Sequence, residues 1–152
     1  MNAKKSDIKA INELMRKSKS YWGYDEEFMY KFMGHFQVTP ASFDKEITKL
    51  LYNKQATGKQ TLVGFYSLSA DNKNQLELDN FFVNPDFIGK GFGKKLWLCL
   101  LETINRLGKK EFIVWSDPFA EGFYEKMGCE KIGTRESPMM PGRYPALFKF
   151  LL

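Results

Sequence analysis

Apolar residues recur at helical spacing through the first quarter of the chain. Ser6-Asp7 offers an N-cap, and Ile8, Ile11, Leu14 and Met15 follow on one stripe, predicting a helix to about Ser20. Asp25-Glu26-Glu27 puts acids where a helix dipole favours them and opens a second helix, with Phe28, Phe32 and Phe36 at every fourth position. Thr39-Pro40 predicts a capped short helix or turn. The pattern then changes to strands at Ile47–Asn53, Thr61–Ser69 and Gln75–Val83, joined by short polar turns. Such short connections imply antiparallel neighbours. Beyond Asn84-Pro85-Asp86 and a glycine-rich stretch, Leu96, Leu100, Ile104 and Leu107 mark a long helix that Gly108 closes. Phe112–Ser116 reads as a buried strand. Asp117-Pro118 is the cap and first residue of a short helix to about Met127, and Cys129–Arg135 and Tyr144–Leu152 are the last strands. This order predicts an α/β (α+β) fold with a mixed sheet and flanking helices.

No linker or repeat divides residues 1–152, so a single domain is expected. Hydrophobic residues at 43% and charged residues at 27% exclude a disordered or low-complexity chain. No apolar run approaches the roughly 18 residues of a membrane span. Met1 to Asp7 are polar and basic with no apolar stretch behind them, so neither a membrane partner nor a secretory leader is expected. Cys99 and Cys129 form no disulfide framework and no metal-ligand cluster; a reduced, cytoplasmic protein without metal is the expectation. The net charge of +5 is dispersed, +4 over residues 1–75 and +1 over 76–152, which argues against a nucleic-acid partner. Aromatic residues make up 16% of the chain, and seven of them fall between Tyr21 and Phe36.

The densest chemical signal is Gly89-Lys90-Gly91-Phe92-Gly93-Lys94-Lys95, between a strand and a helix. Glycines allow a ligand close to the backbone, and the free N–H groups at a helix start attract phosphate. The run is not a P-loop, because the fifth residue before Gly93 is Ile88 and no Ser or Thr follows the lysines. Nor is it a dinucleotide fingerprint, because Lys94 stands where the third glycine belongs.

Val83-Asn84-Pro85-Asp86-Phe87-Ile88-Gly89-Lys90-Gly91-Phe92-Gly93 resembles the central motif of the GCN5-related N-acetyltransferases (GNAT), Val-x-Pro-x-x-Arg/Gln-Gly-x-Gly-x-Gly. Downstream, Ala120-x-x-Phe123-Tyr124-Glu125-Lys126-x-Gly128 is similar to the family's second signature. The resemblance runs from about Thr61 to Leu152. It implies a mostly antiparallel sheet of six to seven strands with about four helices, a shortened first strand, and acetyl-CoA as co-substrate. It further implies acetyl transfer to a primary amine of a small molecule, by direct attack on the thioester. A CoA-binding sensor without turnover, an O-acyltransferase and a protein-lysine or N-terminal acetyltransferase are the alternatives. A homodimer is compatible with all of these.

Carried over by position, the resemblance places cofactor contacts on Phe81, Phe82 and Val83 and on the amides of Gly89, Lys90, Gly91, Phe92, Gly93 and Lys94. The Phe81 amide would polarise the thioester carbonyl. Tyr124 matches the tyrosine that protonates the departing thiolate and also borders the cofactor. Glu77 matches a strand glutamate that acts as base, with Asp79 or a water chain as alternatives. Period-two alternation predicts Glu77, Asp79, Phe81 and Val83 on one face. Asp117 stands at a cofactor-side position but also reads as an N-cap. Ile88 departs from the motif's Arg/Gln. The helix–loop–helix at the N-terminus would wall the acceptor. Tyr24 and Glu27, with Asp79, are the candidates there, through cation–π contact and charge, against a plain structural role for Tyr21–Glu27. The Pro138–Arg143 loop is the next candidate wall. His35, the only histidine, is expected at the surface or in packing.

Overall fold

The computed structural model describes residues 1–152. Helix α1 spans Ile8–Ser20, α2 Glu26–Phe36 and α3 Pro40–Lys45. Strands β1 (Ile47–Lys54), β2 (Gln60–Ala70) and β3 (Leu76–Val83) follow. Helix α4 (Phe92–Arg106), strand β4 (Glu111–Ser116), helix α5 (Glu121–Lys126) and strands β5 (Glu130–Thr134) and β6 (Ala146–Leu151) complete the chain. Two helix starts carry the expected cap chemistry: Asp25 accepts from Phe28 N, and Thr39 from Ser42 N ahead of Pro40; Asp7 instead closes a 3-10 turn by accepting from Lys4 N and makes no cap bond to α1. With the short helix that Thr39-Pro40 starts, the helices number five.

The six strands form one sheet in the order β1-β2-β3-β4-β6-β5, antiparallel except for β3 beside β4. The shortened first strand is a single bridge, Asn2 to Lys49, with Ala3 N donating to Thr48 O at 3.0 Å. Two cores flank the sheet. Ile11, Met15, Phe28, Phe32 and Phe65 pack on the α1/α2 face. Tyr66, Leu78, Leu96, Trp97, Phe112, Tyr124 and Phe148 pack on the α4/α5 face.

A bulge in β3 overturns the expected alternation. Leu78 pairs with Leu68 and Asn80 with Ser67, so Asp79 has no partner on β2. Leu76 and Leu78 before the bulge and Phe81 and Val83 after it all face α4. Glu77 pairs with Ser69 and shares the α1/α2 face with Asn80 and Phe82. Glu77 and Phe81 therefore lie on opposite faces of one strand.

Candidate active-site cleft

Strands β3 and β4 pair at only two positions, Glu77 with Ile113 and Leu78 with Val114. The bulge at Asp79 then turns β3 away. The edge of residues 80–83 is left without a β4 partner, so the sheet opens into a cleft of about 690 Å³. An unpaired strand edge of this kind accepts an extended amide-bearing chain by backbone hydrogen bonds.

The glycine-rich turn closes one end of the cleft. Gly89 (φ +77°) and Gly91 (φ +82°) are left-handed, and a Cβ on either would meet nothing within 4 Å. The turn is thus held open by backbone geometry that favours glycine. Gly91 precedes α4, whose first bond runs from Lys95 N to Gly91 O at 3.1 Å. The amides of Phe92, Gly93 and Lys94 are the unsatisfied donors of that first turn, suited to phosphate oxygens. Gly89, Gly91, Phe92 and Gly93 border the cleft; Lys90 and Lys94 are exposed and do not, Lys90 lying over the Phe87 ring. Ile88 borders the cleft and is 47% exposed, so an apolar side chain replaces a polar one at the turn's entrance. These features fit the pantetheine arm and pyrophosphate of a CoA molecule.

Tyr124 on α5 borders the cleft from the α4/α5 side, buried among Phe81, Trp97, Phe123 and Phe148. Burial, with Cys129 and Asp117 nearby, pushes its hydroxyl far above the ordinary tyrosine value, so it stays protonated. The neighbouring Cys129 thiol is pushed up to about 12 by burial and is unreactive.

Three carboxylates occupy the opposite face. Burial raises Glu77, and the charge of Asp79 adds to the rise. Asp79 keeps an exposed side chain at the bulge, yet the surrounding walls desolvate its carboxyl and push it up to about 6. Glu46, ahead of β1, has an Oε2 shielded from solvent with no hydrogen-bond partner, and burial raises it as well. All three border the cleft, as does His35 at the end of α2.

The remaining wall carries the opposite charge. Asp117, after β4, caps a 3-10 turn through Oδ1, which accepts from Phe119 N at 2.8 Å. Its Oδ2 accepts from Lys19 Nζ, from Tyr24 Oη at 2.8 Å and from Arg143 Nη2 at 3.0 Å. Arg143 Nη2 also donates to Tyr24 Oη at 3.1 Å. Against the cost of burial, the Lys19 ammonium and the hydrogen bonds from Phe119 N and Tyr24 Oη hold the Asp117 carboxyl below its ordinary value. The Lys19 ammonium is lowered, mainly by burial. Both cations rest on the aromatic cluster: Lys19 Nζ is 4.6 Å from the Phe32 ring, and the Arg143 guanidinium 4.8 Å from the Phe28 ring. Arg135 stacks on Trp115 at 3.8 Å.

Three expectations change here. The cation–π cage foreseen for a substrate amine is filled by the protein's own Lys19 and Arg143. Tyr24 stands behind the cleft wall, its hydroxyl pushed up to about 12 by burial, and hydrogen-bonds Asp117. Glu27 faces solvent, paired with Lys31 at 3.2 Å one turn along α2, and does not border the cleft. Asp117 fulfils its N-cap reading, and its oxygens are taken up by protein donors rather than left for a cofactor. Sequence reasoning reached Arg143 only as the end of the Pro138–Arg143 loop, its second choice of wall, and missed Lys19, Arg135 and Glu46. Of the three missed, only Lys19 left a signal: it continues the buried stripe Ile11, Met15 at four-residue spacing.

Residues 11–137 match the acetyltransferase (GNAT) domain family. The chain belongs to the GNAT family. An uncharacterised N-acetyltransferase of Pyropia yezoensis, ycf52, is 29% identical over 85 residues, covering 56% of this chain. The match spans 48%, about half, of that relative's length. Among solved structures, PaiA N-acetyltransferase from Thermoplasma acidophilum in complex with coenzyme A superposes with a TM-score of 0.75 at 18% identity. It covers 97% of this chain and 94% of its own. A GCN5-related N-acetyltransferase from Rhodopseudomonas palustris gives 0.77 at 18% identity, covering 100% and 94%. The mixed sheet with its flanking helices is thus the GNAT fold, and no helix of this GNAT chain is long and apolar enough to cross a membrane.

Proposed function

We propose that this chain transfers the acetyl group of acetyl-CoA to a primary amine of a small molecule. The observation that carries the reading is the opening of β3 from β4 at the Asp79 bulge. It sets backbone donors and a protonated tyrosine on one side of the sheet and carboxylates on the other. The coenzyme A complex of the Thermoplasma relative supports a CoA-type ligand for the cleft.

Each residue's part follows from that arrangement. The backbone of Phe81 and Val83 holds the extended arm, and the amides of Gly89 to Lys94 hold the pyrophosphate. Acetyl-CoA supplies an activated thioester carbon. The Phe81 amide aims at its carbonyl oxygen, where negative charge develops as the amine attacks. Glu77 or Asp79 takes a proton from the incoming ammonium. Asp79, at about 6, is the better matched base near neutral pH. Tyr124, held protonated by burial, gives its proton to the thiolate leaving the acetyl carbon and is restored by the second proton that the nitrogen sheds as the amide forms.

The test is thiol release from acetyl-CoA in the presence of a panel of primary amines, with the acetylated product weighed by mass spectrometry. Amine-dependent release with an N-acetyl product is expected. Tight CoA binding with no transfer to any amine would replace this reading with that of a CoA sensor.

A further inference from the structure

The cleft's cationic wall points to a feature of the acceptor. Lys19 and Arg143 share one buried carboxylate, Asp117, so that part of the wall carries an excess positive charge. Lys19 is 7% exposed, and its ammonium is lowered by burial despite the ion pair, so the excess is held at a cost. Arg143 uses only Nη2 toward Asp117 and Tyr24, leaving Nη1 and Nε as donors for something else. Both side chains border the cleft, whereas Tyr24, which braces them, does not. Arg135, stacked on Trp115, belongs instead with the carboxylates, because its charge acts on Glu77 and lowers it against burial. Across the cleft stand Glu46, Glu77 and Asp79. A simple cationic amine would be repelled by one wall, and a simple anion by the other.

Building on the proposed acetyl transfer, we infer that the acceptor is an amino acid-like amine whose carboxylate docks on Arg143 and Lys19 while its amine faces Glu77 and Asp79. The cage aromatics contribute by fixing the two cations rather than by touching a substrate cation. Arg143 is thereby a specificity-determining residue for the carboxylate.

Matched pairs of amines test this with the full chain: lysine against 1,5-diaminopentane, and 4-aminobutanoate against propylamine. In each pair only the carboxylate distinguishes the members. The carboxylated member is expected to have a kcat/KM about 10- to 100-fold higher, the range of a charge-assisted hydrogen bond. Arg143→Gln is expected to collapse that ratio toward one, and Arg143→Lys to restore part of it, since charge survives while donors are lost. Saturation-transfer NMR on the CoA-loaded protein gives a readout independent of turnover. Binding of 4-aminobutanoate without transfer would sink the acetyltransferase reading and keep this one. Preference for the decarboxylated amines, an R143Q variant that lowers both members of a pair equally, or no binding of either carboxylated amine by NMR would overturn it.

Discussion

Asp117→Asn is the most informative single perturbation of this molecule. The carboxylate neutralises two cations that are themselves largely out of water: side-chain exposure is 14% for Asp117, 9% for Lys19 and 20% for Arg143. Asparagine keeps the shape, and can still cap Phe119 N, but leaves both cations facing each other unpaired. Removing one partner of a buried ion pair costs about 3–5 kcal/mol. For a chain of this length, each kcal/mol lowers the melting temperature by about 2–4 °C, so a fall of roughly 6–20 °C is expected. Lys19→Met acts in the opposite sense. It removes one of the two cations, leaves Asp117 bonded to Arg143 and Tyr24, and puts an apolar chain on Phe28 and Phe32. The lost cation–π contact is worth only about 0.5–2 kcal/mol, offset by the relief of Lys19 desolvation. Lys19→Met should therefore cost far less than Asp117→Asn, and the double variant should recover part of the Asp117→Asn loss. The pH dependence carries a second signature. The folded Asp117 carboxyl lies below its unfolded value, so its stabilisation is present above the ordinary aspartate range and is lost as pH falls through the folded value. Asp117→Asn should lack that acid limb. Thermal melts from pH 2.5 to 8 read all of this (roughly the span of carboxyl titration). Equal destabilisation by the two single variants would refute the charge excess on which the argument rests.

Three further outcomes are expected. Gly91→Ala forces a Cβ into φ +82° with open space around it, a backbone cost of about 1–2 kcal/mol, and should weaken acetyl-CoA binding by calorimetry while the protein stays folded. Tyr124→Phe should lower kcat by about 10²–10⁴-fold with little change in KM for acetyl-CoA, read by single-turnover quench so that chemistry limits the rate. Asp79→Asn should remove or displace the rise of kcat/KM through about pH 6, because the base must be ionised. The raised carboxyl also stabilises the fold at low pH and loses that contribution as pH climbs through about 6, so melts of the variant should fall less over that interval.

Regular elements were legible because their periods are written in the chain; the chemistry between them was less so. Phe28, Phe32 and Phe36 at four-residue spacing give α2, and Asp25 its start. The glycine turn was legible because left-handed Gly89 and Gly91 leave few alternatives to glycine. The β3 bulge was not. One extra residue in a strand has no composition of its own, and alternation carried past Asp79 assigns every later side chain to the wrong face. The acceptor wall failed for a different reason. Seven aromatics near Tyr21–Phe36 announce that a cation will be held, but not whose. Arg143 reaches Tyr24 across 119 positions, and Asp117 reaches Tyr24 across 93. Such distances in sequence are closed only by the sheet, which brings the ends of β4 and of the β5–β6 loop under the α1–α2 turn. Once they meet, the protein's own cations fill the aromatic faces. The demand that the wall places on a ligand then changes sign, from holding a positive group to compensating an excess of positive charge.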